Sequence, residues 1–218
     1  MIISWFGQSC FKFQDKVNGR DMAVVIDPFD PDYTGLKLSG DLSADILVIS
    51  HQHQDHNFSQ AVTGQPFLVD MAGEYEIGGI SIDGIDSYHD QQAGQERGHN
   101  LIFRLEFSDL TIAHLGDLGG LLEGNQLERL SGVDILLVPV GGHYTLDAKK
   151  AVEVINQIEP KMVIPMHYQL PGLKFELNPI DDFVKAVGLP VVNESKLKVT
   201  RRDMDNENMQ LVVLSPVV

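Results

Sequence analysis

Short apolar runs dominate the first half of the chain and predict β-strands. The segments "DMAVVIDPF" (residues 21–29) and "DILVIS" (residues 45–50) are almost continuously apolar, which is typical of strands buried on both faces. Glycines punctuate the alternating segment "YEIGGISIDGIDSY" (residues 75–88), and Phe107-Ser108-Asp109-Leu110 predicts a tight turn between two further strands. The first half is therefore expected to consist mainly of β-sheet.

The second half adds helical patterns. Apolar residues recur at helical spacing in residues 121–130, 145–160 and 178–188. In the second of these segments Thr145 is the predicted N-cap and Pro160 follows the helix, and Gly188 ends the third. Each of these signals places a helix between neighbouring strands.

Strands continue between and after these helices. The segments "VDILLVPVGG" (residues 133–142) and "KMVIPMH" (residues 161–167) predict buried strands, and residues 196–215 predict a terminal hairpin. Strands that alternate with helices favour an α/β sandwich with sheets inside and helices outside. No linker of biased composition divides the 218 residues, so we expect one domain over residues 1–218.

Composition narrows the class of protein. Apolar residues make up 43% of the chain and charged residues 22%, close to the average for globular proteins. No apolar run approaches the roughly 20 residues of a membrane-spanning helix, and the first residues lack a signal-peptide pattern, so a cytoplasmic protein is expected. Cys10 is the only cysteine, which excludes a cysteine-built metal site; its apolar strand favours a core position over a nucleophilic role.

The charge balance argues against nucleic acid as a partner. The chain has 31 acidic and 16 basic residues, a formal net charge of −15. Such a surface repels phosphate backbones at long range. A small anionic substrate remains compatible with it, because bound divalent cations reverse the sign of the charge locally.

Three histidines stand at the ends of predicted strands. His51 follows "DILVIS", His114 ends "LTIAH" and His167 ends "KMVIPMH", while Asp117 comes three residues after His114. In α/β proteins ligands gather at the carboxyl ends of strands. The histidines are therefore expected to meet at one edge of the fold.

The segment "HQHQDH" (residues 51–56) has the composition of a metal site. In extended backbone His51 and His53 project to the same side and can reach one cation. Asp55 and His56 follow directly and supply a carboxylate and another imidazole. A set of histidine and aspartate ligands without thiolate favours zinc, iron or manganese.

These motifs carry a resemblance to a known family. "HQHQDH" matches the H-x-H-x-D-H motif of the metallo-β-lactamase superfamily, and "IAHLGD" and "IPMHY" follow in the expected order. "WFGQSCFKF", "GEYEIGG" and "VGGHYTLDA" are similar to its compact branch related to the ascorbate-phosphate lactonase. The resemblance implies a four-layer αβ/βα sandwich with the site at one edge between two sheets.

The same resemblance implies a ligand set and a reaction. His51, His53 and His114 would bind a first divalent cation, and Asp55, His56 and His167 a second, with Asp117 bridging them. Zinc is favoured, and manganese or iron fit the same ligands. A hydroxide shared by two cations would attack a small cytosolic ester, lactone or phosphoester, while Asp55 and Asp117 orient water and stabilise charge.

Other functions stay open at this stage. A phosphodiesterase or nuclease uses the same ligands, and a non-catalytic protein could bind a metabolite through the metals. A membrane is not expected as a partner, a small molecule is, and the resemblance is compatible with a homo-oligomer.

Several residues have two interpretations. Residues 86–99, with His89, Asp90 and His99, form either a solvated loop or a substrate-side loop that brings His89 beside the metals. His143 is interpreted as pocket lining, and Asp27 either supports a ligating histidine or shapes a turn. Arg97 and Lys174, in residues 86–99 and 168–176, are candidates to hold an anionic group or are simply solvated.

Overall fold

The computed structural model describes residues 1–206 and 208–217, which form two sheets and four α-helices. The strands are β1 (Ile2–Gly7), β2 (Cys10–Val17), β3 (Arg20–Ile26), β4 (Ile46–Val48), β5 (Phe67–Val69), β6 (Gly73–Ile77), β7 (Ile80–Tyr88), β8 (His99–Glu106), β9 (Thr111–His114), β10 (Ile135–Pro139), β11 (Met162–Met166), β12 (Val191–Glu194), β13 (Leu197–Lys198) and β14 (Gln210–Leu214). The helices are α1 (Pro31–Thr34), α2 (Asn125–Arg129), α3 (Ala148–Ile158) and α4 (Ile180–Val187).

The strands divide into a six-stranded and an eight-stranded sheet. The six-stranded sheet has the order β13-β1-β2-β3-β4-β5, and the eight-stranded sheet has the order β12-β14-β11-β10-β9-β8-β7-β6. In the larger sheet β6 to β9 are antiparallel neighbours, whereas β9, β10, β11, β14 and β12 run parallel. The predicted mixed α/β sandwich is confirmed, and Phe107 and Leu110 close the predicted turn between β8 and β9.

Strand β4 shows why the apolar runs in the first half are nearly continuous. Ile46 and Val48 belong to the large core, which includes residues of both sheets. Leu47 and Ile49 belong to a second apolar cluster together with Cys10. Since neighbouring strand residues face opposite sides, both faces of the six-stranded sheet are buried and both require apolar residues.

Helix α3 packs by an apolar stripe that includes Val154 and Ile155. Its N-cap is Asp147, whose Oδ1 accepts the backbone N–H of Lys150 at 2.9 Å, so the predicted cap Thr145 is wrong by two residues. Helix α4 ends at Gly188, as predicted, with a φ of 68° that favours glycine. None of the helices in the described residues is long and apolar enough to cross a membrane.

Two other sequence predictions need correction. Helix α2 is shorter than residues 121–130, because the backbone N–H and C=O of Leu122 bond to the side chain of Gln157 instead of continuing a helix. The described part of residues 196–215 does not form a hairpin. Strand β13 pairs with β1, while β14 pairs with β11 and β12 in the other sheet, and a 3₁₀ turn at Arg201–Met204 separates them.

Candidate metal centre

The site is built at the carboxyl ends of strands from both sheets. His51 lies three residues after β4 in the smaller sheet. In the larger sheet His89 directly follows β7, Asp117 lies three residues after β9, and His167 directly follows β11. Strands β9, β10 and β11 are parallel and in register, so the residues that follow β9 and β11 come together at one edge.

Seven side chains at this edge form two groups of potential metal ligands. One group contains His51, His53 and His89. The other contains Asp55, His56, Asp117 and His167. Within each group, one donor atom per residue lies within 4.8 Å of those of the other members, close enough for all of them to converge on one cation.

The carboxylate of Asp117 lies between the two groups. Its Oδ2 atom is 3.1 Å from Nε2 of His89, and 3.3 Å from Nε2 of both His56 and His167. Asp55 lies beside the second group, with its Oδ2 atom 3.5 Å from Nε2 of His167. One oxygen of Asp117 thus faces histidines of both groups, the position that a bridging ligand requires.

The three imidazoles of the first group also lie close together. Nε2 of His51 lies 3.0 Å from Nδ1 of His53, so these two nitrogens face each other at the distance of a shared proton. The ring centroid of His89 lies 4.9 Å from that of His51 and 5.0 Å from that of His53. The three imidazoles therefore surround one point.

Asp27 holds two of these histidines from behind. Its Oδ1 atom accepts the backbone N–H of Ser50 at 2.7 Å, and its Oδ2 atom accepts the Ser50 hydroxyl at 2.6 Å. Oδ2 also lies 2.8 Å from Nδ1 of His56, and the Ser50 hydroxyl oxygen lies 2.9 Å from Nδ1 of His51. With Nδ1 protonated in both rings, the Nε2 lone pairs of His51 and His56 are directed into the site. Asp27 thus makes the contact expected of a residue that supports a ligating histidine.

Burial and nearby charges shift the pKa values of the site residues. Burial, together with the nearby His56, lowers the pKa of His51 to about 2, so its imidazole is neutral at pH 7. Burial opposes ionisation of Asp117, but His167 and His56 outweigh it and hold its pKa well below the usual range. Burial likewise opposes a charge on His56, but Asp117, Asp55 and Asp27 raise its pKa well above the usual value. These three carboxylates therefore favour a proton on the buried His56. The same excess of negative charge favours a bound cation.

Unsatisfied polar atoms also fit a cation. Among the described residues, the buried Nε2 of His56 and Oδ1 of Asp117 have no hydrogen-bond partner. Buried polar atoms are nearly always paired, so each such atom indicates an ion, a water or a functional role. All donors are nitrogen or carboxylate oxygen, the chemistry that zinc, manganese and iron accept.

His114 lies outside both groups, contrary to the expectation that it binds the first cation. Its Nδ1 accepts the backbone N–H of Gly116 at 3.1 Å, and its Nε2 lies 2.9 Å from the carbonyl oxygen of Ser9. A neutral ring protonated on Nε2 satisfies both contacts and has no lone pair left for a metal. His89 stands with His51 and His53 instead.

The glycines near Asp117 allow close packing of the loops. A Cβ atom on Gly119 would lie 2.5 Å from the Cα of Asp90 and 2.5 Å from the carbonyl carbon of His89. These are backbone atoms, which cannot move aside by a change of rotamer. Glycine at this position therefore sets the distance between the backbone of the Asp117 loop and that of His89.

A cavity of about 410 Å³ opens over the two groups. Its wall contains ligand candidates from both of them and four further side chains of interest, Tyr33, Arg97, Tyr144 and Phe175. His89, in residues 86–99, therefore lies at the wall of this cavity beside the other potential metal ligands.

Other candidate residues lie away from this cavity. Lys174 does not line the cavity, and its Nζ atom donates to the carbonyl oxygen of Asp32 at 2.6 Å. His143 is exposed beside Tyr144, and His99 is exposed beside Tyr88, with ring centroids 5.4 Å apart. Pocket lining by His143 is thus not supported.

Comparison with known proteins places the chain in a family. Residues 2–167 match the model of the beta-lactamase superfamily domain. A protein named "UPF0173 metal-dependent hydrolase" from Carboxydothermus hydrogenoformans is 26% identical, covering 88% of this chain and 95% of the relative. One of the same name from Staphylothermus marinus is 30% identical over 77% of this chain and 83% of the relative.

Solved structures agree with this. A Thermotoga maritima protein described as a Zn-dependent hydrolase of the metallo-β-lactamase superfamily is 34% identical, with a TM-score of 0.78, covering 98% of this chain and 97% of that one. The metallo hydrolase Igni18 from Ignicoccus hospitalis shares the fold at 20% identity, with a TM-score of 0.66, over 99% and 95% of the two chains. The chain belongs to the metal-dependent hydrolases of the metallo-β-lactamase superfamily.

Proposed function

We propose that this hydrolase cleaves a small ester, lactone or phosphoester at a site that holds two divalent cations. The first cation is assigned to His51, His53 and His89, and the second to Asp55, His56 and His167, with Asp117 between them. The observation that carries the proposal is the Oδ2 atom of Asp117, which lies within 3.3 Å of Nε2 atoms from both groups.

The chain supplies ionised carboxylates and oriented imidazoles to this chemistry. Asp55 and Asp117 are the catalytic candidates, because both have lowered pKa values and can orient water and stabilise local charge. Asp27 and Ser50 keep two imidazoles in the tautomer that binds a metal. When bound, two divalent cations lower the pKa of a water molecule towards about 7 and stabilise charge on the reacting oxygen. We assign no separate general base.

Size and charge support a small substrate. A cavity of about 410 Å³ lies within the range of small-molecule sites, roughly 300–1,000 Å³. The net charge of −15 disfavours a phosphate-backbone polymer such as the substrate of a nuclease. We therefore place a small molecule ahead of nucleic acid.

The test is hydrolysis after reconstitution with defined metals. The metal-free chain is loaded separately with Zn²⁺, Mn²⁺ and Fe²⁺ and assayed on chromogenic esters, lactones and phosphodiesters. We expect turnover of one class with at least one cation, loss of it with chelator, and loss of it in Asp117→Ala. His143→Ala is the matched control, because His143 is exposed and lies outside the cavity.

The result that contradicts the proposal is binding without turnover. A panel compound that raises the melting temperature of the metal-loaded protein, but is never hydrolysed, would favour the non-catalytic metabolite-binding alternative.

A further inference from the structure

The cavity has a wall that the metal chemistry does not explain. Tyr33, Tyr144 and Phe175 cluster there, with ring centroids 5.8 Å apart for Tyr33 and Phe175 and 6.3 Å apart for Tyr144 and Phe175. Tyr33 is 46% exposed and Tyr144 is 41% exposed. Clustered, partly exposed aromatic rings at the wall of a cavity indicate a surface that binds another apolar group.

Arg97 adds a positive charge to this aromatic wall. Its guanidinium carbon lies 5.4 Å from the centroid of the Tyr144 ring, within the range of a cation–π contact. A guanidinium beside an aromatic ring keeps N–H donors that can bind an anion.

The guanidinium of Arg97 has no carboxylate partner in residues 1–206 and 208–217. Arg104, Arg129 and Arg201 are paired, with Glu106, Asp83 and Asp134 respectively, whereas Arg97 forms no ion pair within 4.0 Å. Arg97 is half-buried, in a chain that has 31 acidic residues and 16 basic ones. Its neighbour Glu96 also lines the cavity, where its carboxylate accepts a hydrogen bond from the Gln92 side chain at 2.6 Å.

The loop that carries Arg97 is fixed in place. The Asp90 carboxylate accepts four backbone N–H groups, those of Gln92, Gly94, Glu96 and Arg97, at distances of 2.7 to 3.0 Å. The backbone of Arg97 is therefore held from the residue next to His89, so a ligand need not order the loop to use the guanidinium.

We propose that this site takes a substrate with a flat apolar ring and an anionic group, a carboxylate or phosphate, outside the bond that is cleaved. Arg97 binds the anionic group, and the rings of Tyr33, Tyr144 and Phe175 bind the flat one. The inference rests on the proposed function, because it assigns a substrate class to the same site. It makes Arg97 and Phe175 the residues that determine specificity.

The test is equilibrium binding of matched probes to the metal-loaded chain, measured by calorimetry. Phenylsuccinate carries a ring and two carboxylates, one for the metals and one for Arg97. 3-Phenylpropionate lacks one carboxylate, and methylsuccinate lacks the ring. We expect the wild type to bind phenylsuccinate about tenfold or more tightly than either, the effect of one charge-assisted contact or one buried ring.

Variants separate the two contributions. Arg97→Met should abolish the preference over 3-phenylpropionate, and Phe175→Ala should reduce the preference over methylsuccinate. Lys174→Met is the charge-matched control, because Lys174 directly precedes Phe175 in the sequence but lies outside the cavity and donates to the Asp32 carbonyl oxygen. Phe67→Ala is the ring control, because Phe67 is exposed on β5 outside the cavity. Melting temperatures verify that each variant is folded.

Equal binding of all three probes by the wild type, or an unchanged preference in Arg97→Met, would overturn the inference. An effect of Lys174→Met as large as that of Arg97→Met would also overturn it, because general charge would then explain the binding. No turnover is needed. A chain that shows the expected preferences but hydrolyses no ester, lactone or phosphodiester keeps this inference and loses the proposed reaction.

Discussion

The Nδ1 atom of His56 lies 2.8 Å from the Oδ2 atom of Asp27, and both side chains are completely buried. In Asp27→Asn an NH2 group would replace one of the carboxylate oxygens, and the tautomer of His56 would no longer be fixed. We expect the affinity of the second group for zinc to fall about 10–100-fold, as for other partners of ligating histidines. Competition with a chromogenic chelator measures it.

The control for this prediction is Asp21→Asn. Asp21 is also an aspartate of the six-stranded sheet, but its side chain is 94% exposed. The Asp21→Asn variant should bind zinc with the same affinity as the wild type. Unchanged affinity in Asp27→Asn would show that Asp27 only shapes the turn.

His89 and His114 should respond differently to replacement by alanine. We expect His89→Ala to lose about one equivalent of metal, because it removes a donor of the first group. His114→Ala should keep both equivalents but lose about 2–5 kcal/mol of stability, because it deletes a fully buried ring packed against Phe11. Elemental analysis and urea unfolding measure the two effects. Loss of metal in His114→Ala alone would restore the original ligand assignment.

The sequence predicted most of the strands and the edge at which the site lies. Continuous apolar runs and the residues that end them were sufficient, as His51 and His167 illustrate. The C-terminal part of the chain was harder to predict. Residues 196–215 were expected to form a hairpin, but β13 and β14 pair with strands far away in sequence, which local patterns do not reveal.

The sequence analysis placed His114 with His51 and His53, whereas the structure groups His89 with them, and the cause is similar. His114 does end a strand, but its ring turns to the carbonyl oxygen of Ser9, 105 residues away in sequence. His89 directly follows β7, so it obeys the same strand-end rule. The signal that could have identified it was the alternation across "ISIDGIDSY", which continues to Tyr88 and makes His89 the residue after a strand.

Gly119 offers a test of how backbone packing sets the first group. In Gly119→Ala the new Cβ would lie 2.5 Å from backbone atoms of His89 and Asp90, so the two loops must separate. We expect weaker metal binding at the first group, again by about 10–100-fold, because His89 is displaced. Gly120→Ala is the matched control, since its Cβ would meet only Gln91 Cγ, at 3.5 Å. Equal affinities in the two variants would contradict this account.

A buried lysine away from the site predicts a pH dependence of stability. Lys12 is 3% exposed, and its Nζ lies 3.0 Å from Oδ2 of Asp41. Hydrogen bonds from the Ser43 backbone and from Lys12 lower the pKa of Asp41 to about 2, below its usual value of about 3.9. Because the folded-state pKa is the lower one, the carboxylate stabilises the fold above about pH 4, and this contribution is lost as the pH falls towards 2.

We therefore expect metal-free Asp41→Asn to unfold at a lower urea concentration than the wild type at pH 7. The difference should shrink as the pH is lowered from about 4 towards 2, where the wild-type carboxyl also becomes neutral. Asp21→Asn again serves as the control and should show no such trend. A difference that stays constant over this pH range would show that the charge of Asp41 is not its source.

We propose that the chain holds two cations in two adjacent groups of ligands. The most direct test is the metal content of protein purified without added metal or chelator, then reconstituted with zinc, manganese or iron. We expect about two equivalents per chain in the wild type and about one in an Asp55→Ala, His167→Ala double variant, which keeps the first group intact. A wild type that stays near zero with all three metals, or a double variant that still binds two, would contradict the account.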